Sequence, residues 1–289
     1  SHLPGFQKFL PKLQKGPLID YFNIYQMKEE LLRDYFKKEG QDILLDPLFS
    51  VFKERNPWLE SYAQFKALKA PQDKPYYEFV QYLCFQQMEQ VKHYAEKKGI
   101  LLKGDIPILI SPTSADAFLH KDLFIHNLTA GAPPDYYSEE GQSWGFPLYD
   151  WEREYDKIMA WWKMRLKVSS QIYHLYRLDH VVGLFRIFAI PMNRKPRNGF
   201  FLPHETEKWL PQGTKILESF LNDCSMLPIG EDLGIVPQNI KERLIELGIP
   251  GTKVMRWEMT EDKNEYLNVS SYPQISMTTV STHDTETLK

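Results

Sequence analysis

The chain has 289 residues, of which 43% are hydrophobic and 25% are charged, a composition typical of a globular protein with a sizeable core. Its formal net charge is -3, and its Lys and Arg residues are scattered among acids, so a basic surface for nucleic acid is excluded. No apolar run approaches the roughly 20 residues that span a bilayer, and the N-terminus lacks the order of a signal peptide. We therefore expect a cytoplasmic protein with no membrane or nucleic-acid partner.

The cysteine and aromatic content bears on the redox compartment and on the class of ligand. Only two cysteines occur, Cys84 and Cys224, so buried free thiols in a reducing compartment are the simplest expectation, with one bridge as the alternative. Aromatic residues make up 14% of the chain, and several stand in polar stretches. Such rings pack on sugars in binding clefts, although core packing is the commoner use.

The first third of the chain has a helical pattern. Apolar residues recur at three- and four-residue spacing from Gln26 to Phe36 and from Tyr77 to Lys98, and Gly99 is expected to end the second helix. We predict a mainly helical subdomain over residues 1–98.

Beyond residue 100, short apolar runs alternate with amphipathic helices, which is typical of a parallel β/α array. The predicted helices cover residues 155–173, 214–223 and 237–247, and the five predicted strands lie near 106–110, 175–179, 226–231, 252–257 and 276–281. The predicted fold class is α/β, of the (β/α)8 TIM-barrel type, present as a partial barrel of about five of the eight strands over residues 99–289. We expect the chain to be truncated at both ends.

Three carboxylates follow predicted strands: Asp179, Glu231 and Asp284. Parallel strands point the same way, so residues at their C-terminal ends meet at one rim, where barrel loops build active sites. An acid after a strand is also commonly a helix N-cap or a loop residue. Spacing alone leaves a glycosidase-like site and a scaffold role both open.

Strand alternation adds chemical detail to the first of these alternatives. Arg177 and Asp179 share a face, so the guanidinium would favour the ionised carboxylate that a nucleophile needs. Glu231 shares a face with Ile229, and a carboxyl beside apolar groups keeps its proton longer, which suits a general acid. A retaining glycosidase or transglycosidase needs two carboxylates about 5 to 5.5 Å apart. His283 and Asp284 are placed to hydrogen-bond a sugar ring.

A set of motifs between residues 76 and 287 resembles the 4-α-glucanotransferase family, the amylomaltases or disproportionating enzymes of glycoside hydrolase family 77. The motifs occur in the family's order, and the longest of them is the most specific. They are Gly104-Asp105-Ile106-Pro107-Ile108, Gly131-Ala132-Pro133-Pro134-Asp135-Tyr136-Tyr137-Ser138 continuing to Tyr149, Arg177-Leu178-Asp179-His180, Glu231-Asp232-Leu233-Gly234, Pro250-Gly251-Thr252-Lys253-Val254 and Thr282-His283-Asp284.

The resemblance implies an activity and a partner. Glucan segments would pass from a donor maltodextrin to glucose or another glucan by a retaining double displacement through a glycosyl-Asp intermediate. The ligands would be α-1,4-glucans and maltooligosaccharides, with no metal or organic cofactor.

The resemblance to this family also implies a role for each site residue. Asp179 would be the nucleophile, Glu231 the acid/base and Asp284 the transition-state stabiliser. Arg177 and His283 would contact the donor sugar. The loop that closes over the glucan would contribute Asp135, Tyr136 and Trp144.

Two other functions stay open on the sequence: an α-glucan hydrolase on the same scaffold and a non-catalytic glucan-binding protein. An aromatic loop that keeps water from the intermediate favours transfer over hydrolysis. With strands missing from the barrel, we expect the isolated 289-residue chain to be inactive.

Overall fold

The structure is a computed structural model, and it describes residues 19–135, 138–260, 262 and 264–282. It has a mixed α/β fold that divides into two compact units, residues 1–91 and 92–289. The described helices are α1 Tyr21–Leu45, α2 Pro47–Arg55, α3 Trp58–Lys66, α4 Lys74–Lys97, α5 Ala115–Leu119, α6 Tyr155–Ser170, α7 Trp209–Asp223 and α8 Gln238–Glu246. The described strands are β1 Lys103–Pro107, β2 Phe124–Ile125, β3 Leu128–Ala132, β4 Gln142–Ser143, β5 Leu148–Tyr149, β6 Leu175–Asp179, β7 Ile187–Pro191, β8 Phe200–Leu202, β9 Leu227–Gly230, β10 Gly251–Val254 and β11 Ser276–Thr279.

The described part of the first unit is helical. Two aspartates cap successive helices: Asp20 accepts from the N–H of Asn23 at the start of α1, and Asp46 accepts from that of Leu48 at the start of α2. The core between the helices is aromatic, with Phe52 5.2 Å from Tyr82 between ring centroids. Aromatic side chains of this kind bury large areas each, which stabilises so small a helical unit.

The second unit is built on a parallel sheet of three strands in the order β1-β6-β9. Trp162 of α6 and Phe220 of α7 are buried, and their ring centroids lie 4.8 Å apart. Both belong to the core cluster that also contains Tyr176 and Leu178 of β6, so β6 is buried by the helices that precede and follow it. This packing sets the position of the strand that carries Asp179.

The five predicted strands are all present, but their hydrogen bonding divides them into two sheets. Strands β10 and β11 form a separate parallel pair. Between β9 and β10, the N–H of Gly230 donates to the carbonyl of Pro250 at 2.8 Å, and Thr252 Oγ1 donates to the Gly230 carbonyl at 3.0 Å. The backbone N–H of Thr252, which a parallel ladder directs at the Gly230 carbonyl, donates to Asp232 Oδ1 at 2.7 Å instead, so the regular ladder is interrupted there.

The first predicted strand is displaced along the chain. We expected 106–110, whereas β1 covers Lys103–Pro107. The apolar pattern marked buried residues such as Ile108, but pairing with β6 ends at Pro107. The apolar run beyond Pro107 therefore forms a wall of the site rather than a strand.

The sequence analysis did not predict the antiparallel sheets of this unit. A four-stranded sheet has the order β4-β3-β7-β8, and β2 pairs with β5. Their strands are only two to five residues long, so they carry too little alternation to be recognised. The four-stranded sheet carries the segment on which Trp144 stands.

Other expectations are tested by the same structure. Cys84 and Cys224 are free, but Cys84 is exposed and Cys224 only partly buried, so the expectation of buried thiols was wrong. Among the described helices, none is long and apolar enough to cross a membrane.

Candidate active site

The ends of β1, β6 and β9 lie side by side, because the three strands are parallel and in register. Pro107 is paired with Asp179, and Leu178 is paired with Gly230, the residue before Glu231. Asp179 and Glu231 therefore emerge at one edge of the sheet, as strand direction predicts.

Arg177 forms ion pairs with two carboxylates at this edge. Its Nη2 lies 2.9 Å from Asp179 Oδ1, and its Nη1 lies 3.0 Å from Asp105 Oδ1 on the neighbouring strand. The Arg177 side chain is only 14% exposed, whereas that of Asp179 is 41% exposed. Burial alone would lower the pKa of Arg177, but the charges of Asp105 and Asp179 raise it above its usual value. A fixed cation thus holds one oxygen of Asp179 while the rest of the carboxylate stays accessible.

Glu231 is held by backbone groups instead. Its Oε2 accepts from the N–H of His180 at 2.8 Å, and its Oε1 accepts from the N–H of Leu233 at 2.9 Å. Burial raises the pKa of Glu231 above the ordinary value, the two N–H bonds oppose that change, and the charge of Asp179 adds to it. The carboxyl is therefore oriented and disposed to keep its proton.

His180 connects the strand that bears Asp179 to Glu231. Its backbone is left-handed, with φ 53° and ψ 50°, and this conformation aims its N–H at Glu231. Burial lowers the pKa of its imidazole to about 4, with Arg186 adding to the effect and Asp179 opposing it. The neutral ring meets Trp144 edge to face, with centroids 5.1 Å apart. Trp144 is thereby placed over the same site.

Asp179, His180, Glu231 and Trp144 line one cavity of about 480 Å³, a size that suits a small-molecule ligand. Its polar side consists of Asp179, His180, Glu231 and Ser111, and its apolar side of Pro107, Ile108, Leu109, Trp144 and Phe146. Among the described residues, no group of three His, Cys, Asp or Glu could hold a metal ion. The arrangement can present one accessible carboxylate side chain held by a guanidinium and one carboxyl with a raised pKa to a ligand that packs on aromatic rings.

Comparison with known proteins identifies the family. A family model described as 4-alpha-glucanotransferase matches residues 71–289, about three quarters of the chain. The chain belongs to the 4-alpha-glucanotransferase family.

Individual relatives of this 4-alpha-glucanotransferase family agree. A 4-alpha-glucanotransferase of Chlamydia caviae is 40% identical over an alignment of 311 residues, gaps included, that covers 96% of this chain and 58% of the relative. One from Chlamydia muridarum is 36% identical over 309 residues, with the same coverage of 96% and 58%. The chain thus spans 58% of the length of these curated relatives.

A solved structure shows that the fold is also shared. The amylomaltase from Streptococcus agalactiae in complex with acarbose superimposes with a TM-score of 0.82 at 23% identity, covering 94% of this chain and 62% of that one. At this identity the likeness shows the fold alone.

The structure brings together only part of the site that the sequence predicts. Asp179, Glu231 and Trp144 line the cavity, and Arg177 is ion-paired with Asp179 beside it. Asp135 lies in the loop after β3, where its Oδ1 accepts from the N–H of Ser138 at 2.8 Å, and it is not among the described residues that line the cavity. Tyr136, His283 and Asp284 lie outside the described residues, so their predicted roles stay predictions.

Two residues of the site were absent from the sequence-based set. Asp105 shares Arg177 with Asp179, and the signal that could have revealed it is its place in β1, directly opposite Arg177. His180 holds Glu231 through its backbone, and no pattern of residue types indicates a left-handed conformation at that point.

The raised pKa of Glu231 has a measurable consequence. In the folded chain, the Glu231 carboxyl should titrate above the ordinary glutamate value of about 4.3. A ¹³C-detected carboxyl titration by NMR tests this, with the Glu231→Gln variant identifying the signal by its loss. A midpoint at or below about 4.3 would contradict the assignment of burial as the dominant cause.

The stability of the folded chain should depend on the protonation of Glu231. The folded state binds it more tightly than the unfolded chain, so its stabilising contribution is complete below about pH 4.3 and is lost as pH rises through the folded pKa. Relative to the Glu231→Gln variant, the wild-type free energy of unfolding should therefore fall as pH rises from about 4.3 through the folded pKa of Glu231.

Proposed function

We propose that this chain is the central part of a 4-α-glucanotransferase and that it transfers segments of α-1,4-glucan between sugars by a retaining double displacement. The observation that carries the proposal is the pairing of two unlike carboxyls in one cavity. Asp179 is held by Arg177 and remains accessible, whereas Glu231 is partly buried with a raised pKa. Two carboxyls in such unlike environments, one accessible and ion-paired and one partly buried, suit a nucleophile and an acid/base.

In the first step, the Asp179 carboxylate attacks the anomeric carbon of the donor. The new bond joins that carbon to Asp179 Oδ, the glycosidic C–O bond breaks, and Glu231 gives its proton to the departing sugar oxygen. In the second step, an acceptor hydroxyl gives its proton to Glu231, bonds to the anomeric carbon and releases Asp179. Arg177 and His283 contact the donor sugar, and Asp284 stabilises the transition state.

The ligand class rests on the family and on the shape of the cavity. The solved relative from Streptococcus agalactiae is in complex with acarbose. In this chain, Trp144 and Phe146 supply aromatic surface, and Asp179, Glu231 and Ser111 supply hydrogen-bonding groups. An α-1,4-glucan can use both, through its C–H faces and its hydroxyls.

We propose further that β1, β6, β9, β10 and β11 are five consecutive strands of a (β/α)8 barrel. All their ladders are parallel. The hydrogen bond from Gly230 to Pro250 links the two sheets, and Lys103 Nζ of β1 lies 2.8 Å from Met277 Sδ of β11. Contact between the first and last of the five strands supports a sheet that curves back on itself.

Transfer is favoured over hydrolysis by the apolar side of the cavity. Trp144 stands edge-on against His180, and Ile108 and Leu109 line the cavity with it. A covalent glycosyl group held there would be screened from water until a sugar displaces it.

Since both cysteines are free, we place the enzyme in a reducing compartment such as the cytoplasm.

The product profile from maltotriose tests this function, using the whole protein at the length of its relatives. We expect glucose together with a ladder of longer maltodextrins. Glucose and maltose alone would identify a hydrolase. Binding of maltotriose without any product would identify a glucan-binding protein.

A further inference from the structure

A second cavity, of about 420 Å³, lies beside the antiparallel sheets and outside the candidate active site. It is lined by residues 121, 124–126, 128 and 129, by residues 143 and 145–147, by the turn of residues 191–194, and by Pro112 and Ala117. Its volume is sufficient for a sugar with one substituent group. None of the roles proposed above uses it.

The charges around this cavity have one sign. Lys121 and Arg194 line it, and its lining contains neither Asp nor Glu. Of the acids next to lining residues in sequence, Asp122 is paired with Lys157 at 3.2 Å, and Asp116 accepts from Trp161 Nε1 at 2.9 Å. Glu140 likewise pairs with Lys195 at 3.5 Å and Arg197 at 3.8 Å. The cavity therefore attracts anions.

Arg194 is the cation most available to a ligand. Among the described residues, its guanidinium has no ion-pair or hydrogen-bond partner, although its backbone N–H donates to the Pro191 carbonyl at 3.0 Å. That turn is fixed by the left-handed Asn193, with φ 64°, and by a bond from the N–H of Met192 to the Asn127 carbonyl at 3.0 Å. An unpaired guanidinium on a fixed turn is suited to bind a phosphate through two parallel N–H bonds.

The walls of the cavity are apolar and are held in place. Phe124 packs against Tyr149 with ring centroids 5.1 Å apart. The Phe146 carbonyl accepts from the N–H of Ala130 at 2.8 Å and from Thr129 Oγ1 at 3.2 Å. Such walls suit the C–H face of a pyranose better than they suit an isolated inorganic ion.

We propose that this cavity binds a phosphorylated hexose unit, free or within a glucan, with its phosphate on Arg194 and Lys121 and its ring against Phe124 and Phe146. The site is distinct from the candidate active site but shares a wall with it, because Phe146 lines both cavities. The backbone N–H of Trp144, two residues earlier, donates to the Ala130 carbonyl at 2.9 Å. A bound ligand thus stabilises the segment that places Trp144 over the glucan.

Isothermal titration calorimetry of the whole protein at low salt tests the proposal without requiring any turnover. The probes are glucose 6-phosphate, glucose and inorganic phosphate. We expect glucose 6-phosphate to bind with a Kd on the order of 0.3 mM, and each of the other two at least about tenfold more weakly. Equal binding of glucose 6-phosphate and inorganic phosphate would overturn the sugar part, and equal binding of glucose would overturn the phosphate part.

A matched pair of variants, Arg194→Gln and Arg197→Gln, locates the site. Arg194→Gln should weaken glucose 6-phosphate binding by about tenfold, because a charge-assisted pair of hydrogen bonds is lost. Arg197→Gln removes the same charge three residues away, but Arg197 pairs with Glu140 and does not line the cavity, so the Kd should change by less than about twofold. Both side chains are exposed, and thermal unfolding checks that both variants fold. Equal effects of the two variants, or no effect of Arg194→Gln, would overturn the proposal.

Discussion

Replacing Asp179 with Asn is expected to slow glucan transfer by about 10⁴-fold or more, since the amide cannot form the covalent glycosyl intermediate. The substitution is nearly isosteric and leaves Arg177 paired with Asp105 at 3.0 Å, so the fold and the neighbouring strand should be retained. Initial rates of glucose release from maltotriose by the whole protein measure the effect. The KM should change far less than kcat.

Asp122→Asn is the matched control for this experiment. Asp122 is also paired with a cation, Lys157 at 3.2 Å, but it is exposed and lies away from the cavity. Its loss should change the rate by less than about twofold. A rate for Asp179→Asn within tenfold of wild type would remove Asp179 from the role of nucleophile.

Replacing Glu231 with Gln is expected to lower kcat for maltotriose by about 10³-fold, within the range of general acid–base catalysis. The cause differs from that for Asp179, because the first step then lacks a proton for the leaving sugar. A donor with a fluoride leaving group needs no such proton. With α-maltosyl fluoride, the variant should therefore form the intermediate in step one and stall in step two, where the acceptor hydroxyl must lose its proton.

Glu246→Gln supplies the control for the acid/base. Glu246 pairs with Arg243 at 2.8 Å on an exposed part of α8. Its replacement should leave the rates with maltotriose and with α-maltosyl fluoride unchanged. If Glu231→Gln released no first-turnover burst of fluoride from α-maltosyl fluoride, so that step one was lost as fully as it is with maltotriose, Glu231 would not be the general acid.

The parts of this account that the sequence predicted are those that depend on strand direction and alternation. Asp179 and Glu231 follow apolar runs that become parallel neighbours, so their meeting at one edge could be predicted. Arg177 shares a face with Asp179, and the 2.9 Å ion pair follows from that geometry.

Other features depend on contacts between distant segments, and the sequence could not predict them. The second partner of Arg177, Asp105, is set by the register of β1 against β6. The bond from the His180 N–H to Glu231 requires a left-handed residue, a conformation that histidine adopts only where its surroundings enforce it. The antiparallel sheet beneath Trp144 is built of strands too short to have a period.

The central claim is that Asp179 becomes covalently linked to the sugar while Glu231 handles the proton. The most direct test is to incubate the Glu231→Gln variant of the whole protein with α-maltosyl fluoride, digest it and weigh the peptides. The account predicts the added mass of one maltosyl group on the peptide that contains Asp179, and its absence when Asp179→Asn is combined with the first change. A glycosyl group found on any other residue, or on the peptide of the double variant, would contradict it.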